Sequence, residues 1–60
     1  MMTDEQIETM LQMHRHLIIG EMNAWAYKIN KDYDGAKFQE QANNEKWTEF
    51  ALWLVKIRDE

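Results

Sequence analysis

The sixty residues predict an all-α protein, an antiparallel hairpin of two long helices. Three observations carry that expectation. The chain contains no proline, so nothing forces a helix to stop. Ile7, Leu11, His14, Ile18, Met22, Trp25 and Ile29 recur at steps of three and four, the period of one helix face. Asp32-Tyr33-Asp34-Gly35 is the only turn-like cluster, and it falls near the middle of the chain.

The start of the first helix is well marked. Thr3-Asp4-Glu5-Gln6 reads as a capping box, in which the Thr3 hydroxyl and the Gln6 amide cover backbone donors that the first turn leaves open. Met2 and Ile7 occupy the positions of a hydrophobic staple, and Asp4, Glu5 and Glu8 complement the positive end of the helix dipole. The seven-residue stripe then stays within about ±40° of one line at about 100° per residue. Met10, Met13, Leu17 and Ala24 widen it on one side. Gly20 lies off the stripe and costs about 1 kcal/mol without ending the helix. One helix is therefore expected from about residue 3 to about 32. Residues 33–35 are expected to form the turn, with Gly35 left-handed and Asp34 capping the second helix.

That second helix is expected from about 36 to 58. Its first half presents Gln39, Asn43 and Lys46 inward, with Phe38 and Ala42 to one side. Its second half carries a stripe of Trp47, Phe50, Leu54 and Ile57, while Leu52 and Val55 point the other way. Asn43-Asn44 offers a three-helix alternative, in which Asn44 caps a separate last helix.

Composition narrows the function classes. Without cysteine there is no disulfide framework and no CxxC redox or zinc motif. An apolar content of 45% is too high for a disordered tail, and the length excludes a dinucleotide-binding fold. A net charge of −4 argues against binding nucleic acid by neutralising phosphates. Apolar runs such as Leu17 to Ile19 and Ala51 to Val55 fall far short of a membrane span. The acidic start of the chain lacks the apolar stretch of a secretory signal, so a cytoplasmic setting is expected.

Candidate chemistry is sparse. There is neither serine nor cysteine, so the common activated nucleophiles are missing, and the chain is read as non-enzymatic. His14 and His16 project about 200° apart on a helix and cannot share a metal, so no metal or cofactor is expected. His14 interrupts the apolar stripe; it reads as a hydrogen-bonded core or interface histidine, with a pH-sensitive interface as the functional alternative. Glu45 and Glu49 share a face, as do Asp4 and Glu8, and both pairs read as solvated.

The chain carries more apolar surface than one seam between two helices needs. The expected remedy is another protein chain: a two-fold dimer of hairpins forming a four-helix bundle, a larger protein that the hairpin binds and inhibits or regulates, or both. The residues expected at such an interface are Met10, Met13 and Leu17 on the first helix and Leu52, Trp53 and Val55 on the second, with Trp53 foremost. Two alternatives use other features. A bundle could hold a small apolar ligand or haem with His14 as its polar handle. Asp4, Glu5, Glu8, Glu21, Glu40, Glu45 and Glu49 could mimic DNA, although Lys28, Lys31, Lys37, Lys46, Lys56 and Arg58 break up that charge. In size and shape the chain is analogous to small phage and bacterial regulatory proteins.

Overall fold

The computed structural model describes residues 1–60 and consists of two helices, α1 (Asp4–Ile29) and α2 (Tyr33–Arg58), with no strand. They pack side by side as an antiparallel hairpin one helix thick, with Cα extents of 44 × 17 × 9 Å. α2 runs unbroken through Asn43-Asn44, so the three-helix alternative does not apply.

The capping box at the start of α1 is present in both directions. The Gln6 N–H donates to Thr3 Oγ1 at 3.1 Å, and the Thr3 N–H donates to Gln6 Oε1 at 2.9 Å. The Gln6 side chain also donates to Glu60 Oε2 at 3.0 Å, fastening the start of α1 to the end of α2. Of the staple pair, Ile7 is exposed.

The connection comes earlier than the sequence suggested. α1 ends at Ile29, and the chain turns at Asn30, Lys31 and Asp32. The Asp32 N–H reaches back to the Tyr27 carbonyl at 2.9 Å and the Lys31 N–H to the Lys28 carbonyl at 3.0 Å. These are the two bonds of a Schellman motif, which needs a left-handed residue between them. Lys31 fills that role with φ of 61°, and Gly35 does not. Asp32, rather than Asp34, then caps α2, accepting from the Gly35 N–H at 2.9 Å. Gly35 is instead a place of close approach, because a β-carbon there would press on Asp32 and on the Tyr27 ring.

The seam between the helices does not use the stripe that dominates the sequence. Leu17, Gly20 and Ala24 are the buried residues of α1, and Gln6, Met10 and Met13 are half-buried along the same line. Their spacing of four, three, four, three, four is the 3.5-residue repeat of coiled-coil packing. The matching line on α2 holds Ala36, Gln39, Asn43, Trp47, Phe50, Leu54 and Ile57. Small residues, Gly20, Ala24 and Ala36, stand near the turn, and Met10, Met13, Phe50 and Leu54 near the open end. Both lines therefore grow bulkier from the turn towards the open end. Ile7, Leu11, His14, Ile18, Met22, Trp25 and Ile29 lie about 120° round α1 from the seam, and all are exposed.

Only five of the 60 residues are buried, and no large side chain is fully enclosed. A single layer has nothing to cover its broad faces, whereas a stable domain packs two layers around a core. The accessible surface is 5136 Å², against about 4,200 Å² for a compact protein of this mass. The Cα radius of gyration is 14.1 Å, against about 10 Å for a compact chain of this length.

Candidate interaction surface

One broad face of the hairpin gathers apolar side chains from both helices. α1 contributes the displaced stripe, in which Met22 is 64% and Trp25 63% exposed. α2 contributes Trp47. Trp25 and Trp47 line the same open groove, together with Glu21, Ala24, Lys28, Glu40, Asn43 and Asn44.

Polar contacts at the margin hold the face in shape. Lys28 pairs with Glu40 across the two helices, and its Nζ lies 4.9 Å from the centroid of the Trp25 ring. Trp47 Nε1 donates to Glu21 Oε1 at 3.2 Å. The three charges of the groove thus already have partners, and the stripe itself carries no carboxylate, lysine or arginine. A surface of that character loses little on desolvation and gains in proportion to the apolar area it covers.

An aromatic row crosses the seam at the open half. His14 meets Trp47 edge-on at 6.4 Å, Trp47 meets Phe50 edge-on at 6.1 Å, and Phe50 stacks on Trp53 at 6.5 Å. His14 is therefore not a core residue, and it makes no side-chain hydrogen bond within the hairpin. It stands exposed on the broad face with its ring against Trp47. No group of three or more histidine, cysteine or acidic side chains comes together as a metal site.

The residues singled out from the sequence divide three ways. Leu17 is 3% exposed and belongs to the seam, with Met10 and Met13 half-buried beside it. They face α2 because their line, not the neighbouring stripe, contains the small residues that let two helices approach. Trp53 is half-buried by its stack on Phe50. Leu52, 65% exposed, and Val55 remain open to solvent.

No protein-family model, curated protein or solved structure matches this chain. Neither helix is long and apolar enough to cross a membrane.

In the sequence the stripe has the look of a seam-facing side of α1, so it does not stand out as a docking surface. One signal pointed elsewhere. The line Gln6, Met10, Met13, Leu17, Gly20, Ala24 keeps a strict heptad rhythm, and helix pairs in close contact favour that rhythm over a wider apolar stripe.

Proposed function

We propose that this protein is a small non-enzymatic interaction module that works by docking its broad apolar face on another protein chain. The observation that carries this reading is the exposure of Ile7, Leu11, Ile18, Met22, Trp25 and Ile29 along one side of α1. Contiguous apolar patches of this kind mark interaction surfaces. Trp25 and Met22 within it are of the residue types that anchor adaptable interfaces. The output of such a module is regulation of a larger protein by occupancy, in keeping with a chain that has neither serine nor cysteine.

A four-helix bundle made from two hairpins is the second reading, and the size of the surface favours it. The chain exposes roughly 1,000 Å² more than a compact protein of its mass. A standard protein–protein interface removes about 800 Å² from each partner. Covering one broad face is thus enough to bring the hairpin to ordinary compactness. The acidic DNA-mimic reading gains no support, because Lys28 pairs with Glu40 towards the turn end of the hairpin.

Immobilised wild-type protein tests the docking reading against the Met22→Arg variant, which places a charge at the centre of the face and leaves the seam intact. The wild type is expected to retain a defined protein chain from a host extract, its own copy included, and the variant to lose it. Equal retention by both overturns the reading.

A further inference from the structure

The α1 stripe has a symmetry that the exposed face makes meaningful. Its residues, 7, 11, 14, 18, 22, 25 and 29, are separated by four, three, four, four, three, four, and that series reads the same in both directions about Ile18. Such spacing suits an isologous interface built on one helix, because a two-fold axis at Ile18 places residue i of one copy against residue 36 − i of the other and so matches every stripe residue with another. With the axis at Ile18, Ile7 meets Ile29, Leu11 meets Trp25, His14 meets Met22, and Ile18 meets itself. Large side chains of one end thus face large side chains of the other, and no pair brings two like charges together. The stripe of uncharged residues runs nearly the whole length of α1, so the two copies overlap over about 33 Å of helix.

Resting on the docking reading above, we infer that the chain that docks on this face is a second copy, with the two α1 helices antiparallel and the two-fold axis at Ile18. Area supports the assignment independently of spacing. The flat layer of 44 × 17 Å projects about 750 Å², close to the ~800 Å² per partner of a stable interface. α2 fits the same arrangement: Trp47 touches His14, one turn from the axis, and so comes next to its own symmetry mate at the centre of the bundle. Phe38 and Leu52, 78% and 65% exposed, stay on the outside of the dimer, where a larger protein would meet it.

The cysteine-free chain allows a direct test. Ile18→Cys introduces a single thiol at a position that is exposed in the hairpin, and Leu11→Cys does the same two turns away. On the axis, two copies of residue 18 come within reach of a disulfide, which needs Cβ atoms about 4 Å apart. Two copies of residue 11 stand about 21 Å apart along the helix. Mild oxidation is expected to convert most of the Ile18→Cys protein into a covalent dimer, with at least tenfold less from Leu11→Cys. An equimolar mixture of Leu11→Cys and Trp25→Cys is expected to give a cross-linked heterodimer. Efficient cross-linking of Leu11→Cys alone means a parallel pair and overturns the inference, as does a wild-type dimer in which no α1 thiol cross-links. Sedimentation equilibrium of Ile18→Arg supplies a second readout, expected to be monomeric with its helical circular dichroism retained at high concentration; a stable Ile18→Arg dimer overturns the inference. A wild-type chain that is monomeric yet retains a different protein through Met22 overturns the second copy alone, whereas loss of both behaviours overturns the docking reading with it.

Discussion

Gly20 and Asn43 fit one another across the α1–α2 seam: Asn43 Oδ1 occupies the space in which a β-carbon on residue 20 would sit. Both residues are buried, and the same oxygen accepts a hydrogen bond from Gln39 Nε2 at 2.9 Å. An asparagine in a helix seam fixes register, because sliding by one turn would set it against a residue with a side chain in place of Gly20. The pair thus sets which part of α2 lies against which part of α1, and so which residues make up the broad face.

That fit reverses the usual effect of replacing a helical glycine. Alanine gains about 1 kcal/mol over glycine in a helix interior. At Gly20 the added methyl must displace Asn43, and overpacking costs about 1–3 kcal/mol. Gly20→Ala is expected to lower stability by about 1 kcal/mol. In the Asn43→Ala background the same change is expected to raise it by about 1 kcal/mol. Chemical denaturation of the four proteins at one fixed concentration measures the coupling. Additive effects would show that the two residues do not interlock.

Lys31 is a non-glycine residue held in the left-handed region by the Schellman motif at the end of α1. That conformation costs an L-residue with a β-carbon roughly 1–2 kcal/mol. Lys31→Gly is therefore expected to stabilise the hairpin by about 1 kcal/mol, raising Tm by roughly 4–8 °C. A lower Tm would mean that the turn does not hold this geometry in solution.

Thr3 closes the capping box, and its partner Gln6 also reaches Glu60. Thr3→Ala is expected to cost about 1 kcal/mol, and Gln6→Ala a similar amount. Because the two form one unit, the double variant is expected to lose less than the sum of the single losses. Thermal melts of the three variants against wild type give the comparison.

The class and broad outline of the fold were legible in the sequence. Absence of proline, a capping box at Thr3 and a single turn cluster suffice for a helical hairpin. The position of the turn was displaced because glycine and acidic residues drew attention to Asp34-Gly35, while the chain turns on Lys31 and caps with Asp32. The face of α1 was misassigned for a physical reason. Its seam consists of Gln6, Met10, Met13, Leu17, Gly20 and Ala24, which together are less apolar than the stripe beside them. A search by hydrophobicity ranks the stripe first, but close approach of two helices selects small side chains and a 3.5-residue rhythm. His14 illustrates the consequence: counted as a core residue by its neighbours in the stripe, it stands outside the seam against Trp47. The apolar excess was visible in the composition, but its location was not.

Leu17 and Trp25 separate the two faces by experiment. Leu17 is enclosed by the seam, so Leu17→Ala is expected to cost about 2–5 kcal/mol whatever the state of association. Trp25 projects from the broad face, so Trp25→Ala is expected to leave the helical content of the hairpin little changed at high concentration and to weaken association at least tenfold. Circular dichroism with dilution series distinguishes the two. Equal loss of helix in both variants would show that Trp25 serves the hairpin rather than a partner.

The most direct test of the broad face is sedimentation equilibrium of the wild type beside Met22→Arg, from one to one hundred micromolar. A wild-type mass twice that of the 7.3 kDa chain, falling to the single chain in the variant, is the expected result. A wild type that stays monomeric throughout, or a Met22→Arg variant that dimerises as tightly as wild type, contradicts the assignment of this face to a second copy.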